Sequence, residues 1–164
     1  MPRGFTLLEL LVTLALTAIL ATIAYPGFTG WLLDVRRDAI VTTALHAVHA
    51  ARQFAATRNE SVELCGTLDA VHCSGAADWS MGLLVVGADG TVHRSLPSSQ
   101  PLQGPRLRSN RAIIRFEPGT SFASPATMTI CDRRGSRAAR AVIVSRSGRP
   151  RVSKRDASNR VLQC

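Results

Sequence analysis

Between Gly4 and Phe28 the sequence GFTLLELLVTLALTAILATIAYPGF carries one formal charge, Glu9. A run this apolar has few places to go in a chain of 164 residues, a length that supports one core of ordinary size and not two. As a helix, Phe5 to Phe28 extends about 36 Å at ~1.5 Å per residue, enough to cross a hydrocarbon layer of about 30 Å. The segment therefore reads as a membrane-spanning helix. Arg3 just before it keeps the N-terminus cytoplasmic, so that everything after Phe28 is exported. A removable secretory signal is the competing reading. Against it, the run exceeds the usual apolar region, holds a carboxylate, and meets no turn-rich break before the next helix. Glu9 is the informative residue, because a carboxylate at membrane depth costs roughly 2.5–3.5 kcal/mol and needs a partner.

From Asp34 to about Arg58 the pattern turns amphipathic. Ile40, Val41, Ala44, Leu45, Val48, Ala51 and Phe54 recur at spacings of three and four, while Arg36, Arg37, Asp38, His46, His49 and Arg52 fall largely elsewhere. One helix is thus expected to run on from the apolar segment. His46 and His49 are three apart, but no carboxylate or cysteine stands at a spacing that completes a metal site, so they read as solvated. Beyond Asn59 the pattern favours strands at 61–65, 81–86, 92–96, 112–116, 126–131 and 141–145, parted by Gly, Pro, Ser and Asp clusters. Asp89-Gly90 is a hairpin signal. The turn-rich stretch from Leu96 to Asn110 reads as a mobile loop. The fold class is α+β, a long N-terminal helix laid against an antiparallel sheet.

In an exported head the four cysteines read as two disulfides, for which three connectivities exist. Cys65 with Cys73 and Cys131 with Cys164 is the pairing preferred here. It makes one short local clip and a second that ties down the last residue, closing the tail into a loop worth roughly 3–4 kcal/mol on the chain-entropy model. Zinc is the competing use, but no C-x-x-C pair is present.

Charge is unevenly placed. Residues 101–164 hold 14 Lys and Arg against 3 Asp and Glu, whereas residues 1–100 hold 6 against 8. Such asymmetry implies an anionic partner: nucleic acid, an anionic membrane surface or acidic glycans. The stretch SRSGRPRVSKR, 145–155, is the densest part. After the apolar AVIVS, Gly148 permits a tight turn and Pro150 favours extended neighbours. In an extended segment Arg149 and Arg151 share a face about 6.6 Å apart, suited to phosphates along one strand. Arg146, Lys154, Arg155 and Arg160 lie in the same closed segment and extend the track. No aromatic residue follows Phe122, so unpaired bases have no stacking platform there. Binding would then be to phosphate, indifferent to sequence and strongly salt-dependent. The competing reading is a solvated face, or one paired with acids of neighbouring subunits. No G-x-S-x-G, H-E-x-x-H or phosphate-loop pattern occurs, so neither catalysis nor a cofactor or metal is expected.

Gly4-Phe5-Thr6-Leu7-Leu8-Glu9 resembles the processing site of type IV pilins and type II secretion pseudopilins. The resemblance implies cleavage by a prepilin peptidase after Gly4, methylation of the new amino terminus on Phe5, and an assembly role for Glu9 against the Phe5 ammonium of a neighbouring subunit. Pro26 resembles the proline that bends or locally melts the family's helix. Trp79 with Met81-Gly82, Phe116-Glu117-Pro118-Gly119, the TMTIC run ending at Cys131, and VIVSRSGRPR from Val142 to Arg151 together resemble the FimT and GspH branch of minor pilins. Gly148-Arg149-Pro150-Arg151 matches a Gly-Arg-x-Arg motif associated with DNA binding in some FimT-like members. The implied organisation is a leader at 1–4, a transmembrane and assembly helix at 5–28, its amphipathic continuation at 29–58, and a β-rich head at 59–164. The implied location is the bacterial inner membrane, with the head in the periplasm, and then the pilus fibre at the cell surface. The implied partners are other pilins or pseudopilins, prepilin peptidase, the membrane, and DNA without sequence preference for uptake in natural transformation. A structural pseudopilin or pilus-priming subunit that binds no DNA is the alternative.

Overall fold

A computed structural model of the protein describes residues 4–98, 104–119 and 122–164. The chain forms two compact units, Met1–Val35 and Arg36–Cys164, and one helix, α1 (Leu7–Arg58), contributes to both.

In the first unit the helix starts at a cap. Thr6 Oγ1 accepts the Glu9 N–H at 3.2 Å, and Thr-x-x-Glu is the sequence signature of a capping box. Glu9 thereby stands in the first turn, where a carboxylate also meets the positive end of the helix. The hydroxyls of Thr13, Thr17 and Thr22 donate to carbonyls three or four residues back. These bonds keep their polar atoms satisfied inside an apolar run. The large apolar side chains from Phe5 to Phe28 are exposed, and the helix is long and apolar enough to cross a membrane. It runs through Pro26 without a break. The local melting suggested by resemblance is absent, since one missing N–H removes a single rung of the ladder.

In the second unit α1 is a spine of small residues. Arg37, Val41, Ala44, Ala47, Val48, Ala51 and Ala55 are buried, at helical spacing, while His46 and His49 are exposed. Alanines let the sheets approach the helix axis closely. The helix stops where Asn59 turns left-handed, with φ at 53°. The Ala55 carbonyl there accepts the Gly119 N–H at 3.1 Å.

Eight strands follow: β1 (Val62–Gly66), β2 (Gly82–Gly87), β3 (Val92–Pro97), β4 (Arg106–Ser109), β5 (Ile113–Phe116), β6 (Ala126–Cys131), β7 (Arg140–Val144) and β8 (Pro150–Ser153). They form two antiparallel sheets, in the orders β3-β2-β1-β5 and β4-β6-β7-β8, where a single sheet was expected. Both sheets contribute to one core with the spine, through Leu64, Leu83, Ile114 and Phe116 from the first and Leu107, Met128, Ile130, Val142 and Val144 from the second. The Asp89-Gly90 hairpin joins β2 and β3, with Gly90 at φ 84°. Asp89 accepts from the Thr91 hydroxyl at 2.6 Å and the Thr91 N–H at 2.9 Å, which holds its carboxyl below the usual range. Trp79 is fully buried, and a Cβ on Gly66 would run into its ring.

The stretch from Leu96 to Asn110 corrects the expectation of a loop. Arg106–Ser109 is a strand, paired with β6 in the register Leu107 to Ile130. Its alternation, with Leu107 and Ser109 buried and Arg106 and Arg108 exposed, is too short to stand out among prolines and glycines. Residues 99–103 lie outside the described residues.

Candidate nucleic-acid interface

The basic tail begins as a β-hairpin. The register of β7 and β8 sets Val144 opposite Pro150, Ile143 opposite Arg151 and Val142 opposite Val152. Between the strands Ser145 to Arg149 form a tight turn. Gly148, buried and at φ 67°, donates its N–H to the Ser145 carbonyl at 2.9 Å. Any side chain at Gly148 would be strained in that conformation. The Ser145 N–H bonds the Arg149 carbonyl at 3.1 Å, and the Ser145 hydroxyl accepts the Arg149 N–H at 3.2 Å. Residues directly opposite in an antiparallel pair share a face. Arg151 therefore lies on the face of Ile143, the outer face of the second sheet, and the two-residue alternation gives Arg149 the same side. Pro150 opens β8, an edge strand, where its missing N–H leaves no inner partner unmet.

Beyond β8 the chain doubles back over that outer face. Leu162 is buried against Ala139, Ala141 and Ile143, a second small apolar cluster with Cys131 packed against it. This cover explains why β7 reads AVIV without alternation: Val142 and Val144 face the main core, while Ala141 and Ile143 face the tail. A disulfide joins Cys131 to Cys164, and another joins Cys65 to Cys73. The tail is thus a closed loop fastened by a covalent bond and an apolar anchor.

The cations proposed for the track fall into two groups. Arg146, Arg149, Arg151 and Lys154 are exposed, and among the described residues their side chains make no hydrogen bond or ion pair. Arg155 and Arg160 are exposed but engaged. Arg155 donates to the Asn159 carbonyl at 3.0 Å, and the Arg160 guanidinium meets Asp156 at 2.9 Å. The Asp156 carboxyl, which also accepts the Ser158 and Arg160 N–H groups at 2.8 Å, is held below its ordinary value, first by the Arg160 backbone bond. These contacts shape the loop, and Asp156 cancels one of its charges.

Other arginines are built into the fold. Arg37 is buried in α1 and donates to the Ala138 carbonyl at 3.0 Å, tying the spine to the short 3₁₀ turn at Gly135–Arg137. Arg134 meets Asp132 at 2.6 Å, Arg115 meets Glu63 at 2.6 Å, and Arg111 donates to the Pro125 carbonyl. Two outward arginines on the strands of this sheet escaped the sequence reading. Arg106 and Arg108 stand on β4, the opposite edge of the same sheet, exposed on the outer face beside Cys131 and Thr129. Their positive charge was legible, but their placement depended on recognising β4.

A long N-terminal helix whose second half is the spine of an antiparallel β head defines the type IV pilin class of fold. The chain belongs to the GspH family: the model described as Type II transport protein GspH matches residues 42–148, and that of the prokaryotic N-terminal methylation motif matches residues 2–25. Two crystal structures of the type IV minor pilin FimU of Pseudomonas aeruginosa (strain PAO1), in space groups P65 and P21, are similar in fold. Their TM-scores are 0.50 and 0.52 at 16% identity, over 75% of this chain and 91% and 87% of theirs. No curated protein matches the chain. Membership makes the chain a minor pilin or pseudopilin and implies pilin partners and prepilin-peptidase processing. The matched residues include Arg146 and end at Gly148.

Proposed function

We propose that this minor pilin binds DNA through the β7–β8 hairpin and presents it for uptake in natural transformation. The carrying observation is that Arg146, Arg149, Arg151 and Lys154 stand exposed, without a partner among the described residues, on a hairpin and loop fastened at both ends. A guanidinium or ammonium on a pre-ordered backbone loses less freedom on meeting phosphate than one on a free tail. The contacts are to phosphate: the hairpin has no aromatic side chain to stack on a base, and its exposed cations match the charge of the backbone. The full chain in uncharged detergent should therefore bind duplex DNA of any sequence with an affinity that falls steeply with salt. Arg149→Ala with Arg151→Ala should make the log–log salt slope shallower by about 1.8, at ~0.9 per lost phosphate contact. An unchanged slope sinks the hairpin as the contact surface.

The processing and assembly reading belongs to the first unit. Cleavage after Gly4 would free an ammonium on Phe5, and Glu9 is its proposed partner on a neighbouring subunit, since pairing offsets most of the cost of a charge in the bilayer. Glu9 also supports its own helix start, where Thr6 caps its N–H. Glu9→Gln should leave cleavage intact and reduce incorporation into fibres, and normal incorporation would remove the assembly role. In the second reading the chain is a structural pseudopilin of a secretion apparatus. Membership of the GspH family is compatible with that reading as well.

A further inference from the structure

Between the closed tail loop and the β4–β6 edge of the second sheet lies a cleft of about 480 Å³. Its sheet wall carries Arg108, Asn110, Thr127 and Thr129, and its loop wall carries Ser158 and Arg160. Much of the hydrogen-bonding capacity there is open. Asn110 Oδ1 accepts the Thr127 N–H at 2.9 Å, which leaves the amide NH₂ to donate. The hydroxyls of Thr127, Thr129 and Ser158 make no hydrogen bond among the described residues, nor does the Arg108 guanidinium. The charge balance is specific. Asp156 neutralises Arg160 at 2.9 Å. Asp78 stands near Arg106 and Arg108, whose charges help hold its carboxyl low after its bond to Ser80. Two arginines against one acid leave one positive charge on this edge, and Arg108 brings its guanidinium to the cleft wall among neutral donors. That set suits a group with one negative charge and several acceptor oxygens, which is the chemistry of a phosphodiester.

We propose that this cleft is a second phosphodiester subsite, separate from the hairpin. The proposal rests on the DNA reading above and extends it. Arg151 on β8 and Arg108 on β4 share the outer face three strand spacings across and two residues along, about 16 Å apart. The two positions therefore hold different phosphates, with the disulfide-fastened loop between them. Loop and sheet both line the cleft, so the Cys131–Cys164 bond serves the subsite by holding one wall against the other.

The test is a salt titration of the full chain in uncharged detergent against a 16-base-pair duplex, beside a titration with inorganic diphosphate followed by amide NMR shifts. Arg108→Gln should make the duplex slope shallower by about 0.9, additively with the hairpin double variant. Thr129→Val, which keeps the strand's shape, should weaken binding at an unchanged slope, because it removes a neutral donor. If the hairpin variant changes the slope while Arg108→Gln and Thr129→Val both match wild type, the cleft is overturned and the hairpin reading stands. If the wild type ignores duplex even at low salt, the DNA reading falls. Diphosphate shifts at Asn110, Thr127 and Thr129 that vanish in Arg108→Gln would then support the cleft as a site for free phosphate groups, and their absence would overturn it. Should Arg108→Gln fail to fold, Thr129→Val decides: affinity equal to wild type overturns the subsite.

Discussion

Two arginine-dense stretches lie five residues apart in the chain, and the structure engages one far more than the other. In the corner from Asp132 to Arg140, Arg134 meets Asp132 at 2.6 Å and Arg140 donates to the Ala139 carbonyl at 3.0 Å, while Arg37 reaches across from α1 to Ala138 and only Arg133 and Arg137 are exposed without a bond among the described residues. In the hairpin from Ser145 to Arg151, no arginine side chain bonds anything among the described residues. The difference comes from the backbone. A 3₁₀ turn and its flanks leave carbonyls free to accept from guanidinium groups, and Asp132 supplies a carboxylate. A hairpin turn uses its own acceptors: the Ser145 and Arg149 carbonyls take backbone N–H groups, and the Ser145 hydroxyl takes another. Charge density alone therefore does not mark a ligand surface; the supply of intramolecular acceptors decides it.

The strongest way to break that contrast is to exchange the consequences. Arg134→Ala should destabilise the protein by about 3 kcal/mol, because Asp132, whose side chain is 2% exposed, would be left as a buried charge without its partner. Thermal unfolding in detergent would read this as a marked fall in the midpoint, and the duplex salt slope should not move. The hairpin double variant should do the reverse, shifting the slope and leaving the midpoint nearly untouched, since exposed arginines without partners contribute little to stability. A slope change in Arg134→Ala as large as that of the hairpin variant would show that the two stretches act as one diffuse basic field.

How much of this could be read from sequence depended on whether a feature was local. The helix was legible over its whole length, because its apolar run and its Ala-rich spine each repeat a period many times. The hairpin at Asp89-Gly90 was legible from two residues. Pairing of strands distant in the chain was not: β4 has four residues and becomes a strand only because β6 stands beside it, twenty residues on. The division into two sheets has the same cause. At the candidate interface the order Gly148, Arg149, Pro150, Arg151 foretold a turn and an extended pair, yet nothing local separated Arg160, bound to Asp156, from Lys154, which is free among the described residues. The cleft escaped for a further reason. It lies between a loop and a sheet that meet only when Cys164 returns to Cys131.

Acid sharpens the contrast at smaller amplitude. The carboxyls of Asp132 and Asp156 are both held below the ordinary value, the first chiefly by the Arg134 side chain and the second chiefly by the Arg160 N–H. A carboxyl depressed in the folded state contributes stability above its unfolded pKa, near ~3.9, and loses it as pH falls through the folded value. The corner and the tail loop should thus be insensitive to pH from neutrality down to about 5 through these groups, and loosen only below about 4. Amide shifts can follow each carboxylate separately, because the Arg134 N–H donates to Asp132 at 2.8 Å, and the Ser158 and Arg160 N–H groups donate to Asp156 at 2.8 Å. Those three amides should titrate with midpoints below ~3.9. The Arg149 N–H, bonded to the Ser145 hydroxyl, should not titrate with them. A midpoint at the ordinary value for Ser158 and Arg160 would mean that Asp156 does not fasten the loop. The loop wall of the cleft would then be free to move away from the sheet, whereas the hairpin, which has no carboxylate in its turn, would keep its shape and its charge.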